Sequence, residues 1–138
     1  MLLNSGELFR GKILKRPSMR CKTPYVADVL LVDGSLTLAH SASLGCCGLC
    51  DKDDYFYMIK VDNTKNVCKY KIIIANNIER DISQLIGVDP KFAENLVNNS
   101  LQQNTFSWLR NVKEFQREKK YLNSRFDFCG IDENGQEF

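Results

Sequence analysis

Six cations near the start of the sequence are the side chains best suited to binding a ligand. No acidic residue interrupts them between Glu7 and Asp28, and they are Arg10, Lys12, Lys15, Arg16, Arg20 and Lys22. Clustered lysine and arginine side chains attract phosphates and release condensed counterions when they bind a nucleic acid. Tyr25 and Phe9 lie nearby in the sequence and could stack on bases. The alternative is a solvated strand edge whose charges only prevent aggregation.

A group of thiols follows the single histidine, His40, and consists of Cys46, Cys47 and Cys50. Cys47-x-x-Cys50 has the spacing of a metal knuckle, and a tetrahedral zinc site would need two more ligands, such as His40 and a distant cysteine. A second knuckle is missing. Reduced cysteines are therefore favoured over zinc binding or redox chemistry, and we expect no cofactor.

The charged residues near the end of the sequence are weaker evidence for a ligand-binding site. A second basic cluster consists of Arg110, Lys113, Arg117, Lys119, Lys120 and Arg125. Glu114 and Glu118 lie among these cations and offset part of their charge, so the cluster is explained as an ordinary charged surface. Asp127 lies between two aromatic residues of a predicted strand. Because an inward carboxylate is costly unless it is paired or binds a metal, we expect it to point outward, opposite Arg125 or Lys120.

Length and composition limit the kind of molecule that positions these residues. The 138 residues suffice for one domain or two small ones, and 43% apolar residues predict a packed core. The net charge of +2 is too small to imply a polyanionic partner by itself. The apolar runs are too short for a membrane helix. Six cysteines without a signal-peptide pattern indicate reduced thiols and a cytoplasmic, intracellular location.

The first three-quarters of the chain are predicted to form mainly β-strands. Short apolar runs bounded by polar or glycine residues predict strands over 8–15, 25–32, 35–39, 55–61 and 69–75. Asp33-Gly34 predicts a hairpin with a type I′ turn. Five short strands with irregular connections fit a small barrel.

A different periodicity begins at Asp89, which can cap a helix with Pro90 in its first turn. Apolar residues at spacings of three to five predict a helix over 90–102. Strands are expected over 115–121 and 124–129, and residues 133–135 are expected to turn into a third strand. We place a soft domain boundary between residues 76 and 88.

Several segments, in the same order and at similar spacing, resemble the sugar fermentation stimulation protein A (SfsA) family. The resemblance covers residues 8–16, 25–29, 36–40, 86–89, 93–96, 120–121 and 124–128. The most specific element is Ser124-Arg125-Phe126-Asp127-Phe128, and the basic first strand followed by Ala27-Asp28-Val29 is next.

The resemblance implies a mainly β fold with some α structure. It places an N-terminal oligonucleotide/oligosaccharide-binding (OB) barrel of five strands at residues 1–80. An incomplete α+β segment similar to the restriction-endonuclease core follows at residues 81–138. Asp127 matches the first metal-binding acid of that core, but the strand with Glu-x-Lys would lie beyond Phe138. We therefore expect a chain truncated to about half of the family's length, with no catalytic residues of its own.

Three departures from the family pattern affect the interpretation of individual residues. After His40 the family usually reads Cys-Pro-Asn-Thr-Gly, whereas this chain has Ser41-Ala42-Ser43-Leu44-Gly45. Asn99 replaces a common helix acid, and extra residues around 17–23 lengthen the basic loop.

Together, the basic segment and the resemblance favour binding of DNA or another nucleic acid, largely without sequence preference. The expected phosphate and base contacts are Lys12, Lys15, Arg16, Arg20, Lys22 and Tyr25. One alternative is a magnesium-dependent nuclease completed by C-terminal residues or by a partner chain. Another is an interaction protein that pairs with a partner, or with a second copy, through an open sheet edge at residues 125–138.

Overall fold

The computed structural model describes residues 6–44, 46–62, 66–79, 82–109 and 111–138, with the backbone alone at 78, 79, 82 and 83. Gly45 and Arg110, which the sequence analysis singled out, lie outside these residues. The regular elements are β1 (Phe9–Lys15), β2 (Val26–Leu31), β3 (Leu36–Ser41), β4 (Tyr55–Lys60), β5 (Tyr70–Glu79), β6 (Ile82–Gly87), α1 (Pro90–Gln102), β7 (Val112–Tyr121) and β8 (Ser124–Asp132).

The first five strands close into a barrel. β1 pairs in antiparallel fashion with β2 and β4, β2 pairs with β3, and β4 pairs with β5. A parallel pairing of β3 with β5, in which His40 lies opposite Lys71, completes the circle. This is the strand order of an OB barrel, so the predicted fold class is confirmed.

Alternate residues of these strands form the barrel core. Ile13, Val29, Phe56, Met58 and Ile72 have no exposed surface. Gly11 also faces this core, and a Cβ there would lie 2.8 Å from Val29 Cγ1. The period-2 pattern of burial therefore fixes which side chains of each strand remain available on the outer surface.

The hairpin between β2 and β3 forms at the predicted position but with another turn. Gly34 N donates to Leu31 O at 3.0 Å, and Leu31 N donates to Ser35 O at 2.9 Å. Gly34 has a φ of +81°, whereas Asp33 is not among the residues with positive φ. A type I′ turn needs positive φ at both central residues. The connection is therefore a type I turn followed by a glycine bulge.

The sequence analysis missed β6, which pairs with β5 in antiparallel fashion. Ile74 lies opposite Gly87 at one end of this pairing, and Glu79 lies opposite Ile82 at the other. The chain divides into two compact units, Ser5–Phe92 and Ala93–Phe138. The first unit therefore includes the β5–β6 hairpin, which extends its sheet past residue 80.

The C-terminal unit contains most of α1 and the antiparallel pair β7–β8. Asp89 caps α1 as predicted, since its Oδ1 accepts a hydrogen bond from Lys91 N at 3.3 Å. The apolar stripe of α1 is buried only in part: Leu101 is 3% exposed and Leu96 is 39% exposed. The predicted turn at residues 133–135 is present, and the residues after it pair back onto β8: Phe138 forms two backbone hydrogen bonds with Gly130, and Glu137 forms an isolated antiparallel bridge with Ile131.

Candidate nucleic-acid interface

The residues between β1 and β2, numbers 16–25, form a loop that is held at its base by one carboxylate. Asp28 Oδ1 accepts a hydrogen bond from Ser18 Oγ at 2.7 Å, and its Oδ2 accepts one from Met19 N at 2.9 Å. Ser18 Oγ in turn accepts one from Arg20 N at 3.1 Å, and Ser18 is 1% exposed. We call this segment the basic loop. Its backbone is fixed although most of its side chains are exposed.

Three of the predicted phosphate contacts project from this region. Lys15 ends β1, and Arg20 and Lys22 belong to the basic loop; all three are exposed. Among the described residues, none of the three forms a salt bridge. Their charges are therefore available to an anionic ligand.

Arg16, also predicted to bind phosphate, contacts the protein itself. Its Nε donates to Pro24 O at 2.7 Å, its Nη2 donates to Ser43 O at 2.5 Å, and its Nη1 lies 3.8 Å from Cys46 Sγ. These contacts join the basic loop to the segment between β3 and β4. Arg16 therefore positions the loop and presents few free donors to a ligand.

Lys12 is paired with an acid that lies far away in the sequence. Its Nζ is 2.8 Å from Asp53 Oδ1 on the outer surface of the barrel. The hydrogen bond to Asp53 raises the pKa of Lys12, and the same hydrogen bond lowers the pKa of Asp53. Because both groups are exposed, the pair adds little stability. It does neutralise the lysine, which distinguishes Lys12 from the unpaired cations.

Tyr25, the predicted stacking residue, lies parallel to the ring of His40. The ring centroids are 6.3 Å apart, the planes differ by 13°, and Tyr25 is 39% exposed. A hollow of about 350 Å³ beside His40 is also lined by Val67, Tyr70 and Lys71. The sequence analysis named His40 as a possible zinc ligand and did not place it beside Tyr25. Its proximity to Lys71 results from the β3–β5 pairing, which the sequence does not reveal.

A second outer surface joins aromatic and cationic side chains. The guanidinium carbon of Arg10 lies 4.8 Å from the centre of the Tyr55 ring, and Lys12 Nζ lies 5.8 Å from it. Arg10 and Lys12 of β1 pair in register with Tyr57 and Tyr55 of β4. The alternation of core-facing and outward-facing residues along β1 and β4 could have indicated this surface. The pairing of the two strands, however, was not predicted.

The two cysteines with knuckle spacing, which the sequence analysis did not favour as a zinc site, differ in burial. Cys50 is 1% exposed, whereas Cys47 is exposed and has a φ of +50°. Within the part of the chain that the structure describes, no three His, Cys, Asp or Glu side chains form a group that could hold a metal ion.

The second basic cluster is partly paired within the C-terminal unit. Arg117 Nη2 lies 3.0 Å from Glu94 Oε2, and Arg125 Nη1 lies 3.7 Å from Glu118 Oε2. Asp127 is exposed, as expected. However, Arg125 pairs with Glu118 rather than with Asp127.

None of the helices in the described residues has the length and apolar character needed to cross a membrane.

Comparisons with known proteins agree on one family, although no family model matches the chain. A sugar fermentation stimulation protein homolog of Magnetococcus marinus is 34% identical over 106 residues, 76% of this chain and 44% of the relative. The homolog of Alteromonas mediterranea is 28% identical over 135 residues, 96% of this chain and 53% of the relative.

A solved structure shows the same fold. The structure of Pyrococcus furiosus SfsA in complex with Ca2+ matches with a TM-score of 0.73 at 15% identity, over 99% of this chain and 54% of that one. The chain thus spans about half the length of the relatives and of the structure that it matches. On these sequence and structural matches, it belongs to the sugar fermentation stimulation protein A family.

Proposed function

We propose that the barrel binds DNA without sequence preference through the basic loop and the neighbouring Tyr25–His40 stack. The observation that carries this proposal is that Lys15, Arg20 and Lys22 are exposed and free of salt bridges among the described residues, on or beside a loop anchored by Asp28. Cations on a fixed backbone bind phosphates with less loss of conformational entropy than cations on a flexible segment.

The aromatic pair supplies the second part of the interface. Tyr25 is partly exposed and its ring is supported by His40, so an unpaired base can stack against it. The adjoining hollow beside His40 offers room for a base or sugar. Contacts to phosphates and to ring faces carry little sequence information, which is why we propose binding without sequence preference. OB barrels use this combination of cations and stacked rings for single strands.

Lys12 and Arg16 have other roles in this proposal. Arg16 holds the basic loop against the segment between β3 and β4. Lys12 remains neutralised by Asp53 unless a phosphate displaces that carboxylate. The predicted set of six contact residues is thus reduced to four principal ones, namely Lys15, Arg20, Lys22 and Tyr25.

The test is a titration of fluorescently labelled single-stranded and double-stranded DNA at increasing salt concentration. Neutralising Arg20→Gln and Lys22→Gln should each reduce the slope of log affinity against log salt by about 0.7 on single strands. Tyr25→Leu should weaken binding by about 1–3 kcal/mol and leave the slope unchanged.

Lys91→Gln is the matched control, because it removes the same charge from an exposed position on α1 that is not among the proposed contacts. It should leave both affinity and slope nearly unchanged. The proposal is lost if no binding is detected at low salt, or if Lys91→Gln reduces the slope as much as Arg20→Gln does.

A further inference from the structure

A cluster of side chains around Cys46 lies behind the basic loop and shares only Arg16, which positions that loop, with the proposed DNA interface. The half-buried sulfur of Cys46 is surrounded by polar groups of three different segments. Arg16 Nη1 lies 3.8 Å from it, Ser41 Oγ lies 4.0 Å from it, and the Cys46 thiol donates to Ser43 O at 3.5 Å. A cation and a hydroxyl thus contact a sulfur that solvent can still reach.

The backbone turn after Cys46 determines which second cysteine faces this sulfur. Leu49 N donates to Cys46 O at 2.8 Å, and the two residues between them, Cys47 and Gly48, have φ values of +50° and +77°. Positive φ at both central positions is typical of a type I′ turn. It leaves Cys47 exposed, while Cys50 is buried in the core cluster against which Cys46 packs.

The surroundings act in opposite directions on the two thiols. Burial raises the pKa of Cys46, but hydrogen bonds with Arg16, Cys50 and the side chains of Ser43 and Ser41 lower it by more, and the net pKa lies below the ordinary value. Burial, together with the charge of Cys46, raises the pKa of Cys50 to about 12. Asp54 raises it further, and Arg16 opposes the rise. Cys46 therefore ionises more easily than an ordinary thiol, whereas Cys50 keeps its proton at neutral pH.

We propose that Cys46 and Cys50 form a peroxide-oxidisable dithiol, in which Cys46 is the attacking residue and Cys50 the resolving residue. Reaction with a hydroperoxide depends on thiolate character and on access, and Cys46 combines both with an adjacent guanidinium. Cys46 packs against the core cluster that includes Cys50, and a disulfide between the two requires Cβ atoms about 3.5–4.5 Å apart.

The chemistry balances with hydrogen peroxide as the oxidant. The Cys46 thiolate attacks one peroxide oxygen, the O–O bond breaks, and the departing hydroxide takes up a proton to leave as water. Cys46 is then a sulfenic acid, oxidised by two electrons while the peroxide is reduced. The Cys50 sulfur attacks the Cys46 sulfur, the S–O bond breaks, and a second water molecule leaves with the Cys50 proton. The product is a Cys46–Cys50 disulfide.

The experiment uses the full reduced chain, treated with hydrogen peroxide, alkylated to block remaining thiols, and analysed by intact mass and peptide mapping. The wild type should lose two hydrogen atoms and yield a disulfide between Cys46 and Cys50. Cys47→Ser is the matched control and should form the same disulfide at the same rate. Cys46→Ser should form none, and Cys50→Ser should accumulate a Cys46 sulfenic acid that dimedone traps.

Arg16→Gln tests the role of the cation. It should slow alkylation of Cys46 by iodoacetamide at neutral pH, by up to about tenfold for each unit by which Arg16 lowers the pKa. Lys12→Gln, which removes a cation that contacts Asp53 and no thiol, should not slow it. The proposal is overturned if Cys47→Ser abolishes the disulfide, if Cys46→Ser retains it, or if the urea-denatured chain forms it as fast as the folded one.

Discussion

At the scale of single residues, two carboxylates decide what the basic segment can do. Asp28 anchors the basic loop through Ser18 and Met19, and Asp53 neutralises Lys12. The absence of acids between Glu7 and Asp28 in the sequence predicted a cluster of free cations. It could not reveal that the fold brings Asp53 next to Lys12 of β1. The residue types were therefore predictable, whereas the division between anchored, neutralised and free cations depends on tertiary contacts.

Ser18→Ala tests whether the anchored backbone of the basic loop matters for binding. Ser18 is buried, donates to Asp28 and accepts from Arg20 N, so removing its hydroxyl leaves partners unsatisfied. We expect the free energy of unfolding to fall by about 1–3 kcal/mol in urea titrations. DNA affinity should fall as well. The slope against salt should stay unchanged, because no cation is removed.

Ser107→Ala is the control for this variant, since Ser107 is exposed in the C-terminal unit. Its unfolding free energy should change by less than about 0.5 kcal/mol. Equal stability of the two variants would contradict the role that we assign to Ser18.

At the scale of elements, the barrel strands and the helix were predictable, while β6 and the turn chemistry were not. β1 to β5 alternate between core and surface, and α1 begins at a capping residue followed by proline. β6 is a short stretch that includes Leu85, which is 62% exposed, and it lacks the alternation that marks a half-buried strand. It is a strand because it pairs with β5, which is a non-local property.

The core-facing glycine of β1 supplies a test of how closely the barrel strands pack. A Cβ at Gly11 would lie 2.8 Å from Val29 Cγ1, 3.1 Å from Met58 Cε and 3.3 Å from Phe56 Cζ. Gly11→Ala should therefore lower the free energy of unfolding by about 1–3 kcal/mol, because the core has no room for the added methyl group.

Gly87→Ala is the matched substitution, because a Cβ on this residue of β6 would meet nothing within 4 Å and its φ is not positive. It should be neutral or slightly stabilising, since alanine restricts the unfolded chain more than glycine does. Thermal unfolding followed by circular dichroism measures both variants. A Gly11→Ala protein as stable as Gly87→Ala would show that the barrel core is looser than the structure indicates.

At the scale of the whole molecule, the division into two units separates two kinds of stabilisation. The barrel unit contains a core of fully buried side chains, including Ile13, Phe56 and Ile72. In the C-terminal unit, β7 and β8 form a two-stranded sheet in which Tyr121 and Phe126 are 63% and 48% exposed. The modest net charge says nothing about this division, and neither does the overall apolar fraction, because both are averages over the two units.

Hydrogen exchange followed by mass spectrometry should detect this difference directly. A two-stranded sheet is marginally stable by itself, so the amides of β7 and β8 should exchange through local opening, well before those of the barrel. Barrel amides in β1, β2 and β5 should exchange close to the rate set by global unfolding. Gly11→Ala should accelerate exchange in the barrel strands and leave β7 and β8 unaffected. If β7 and β8 are protected as strongly as β1 in the wild type, the two units unfold together. The division of the chain into two compact units would then not correspond to a difference in stability.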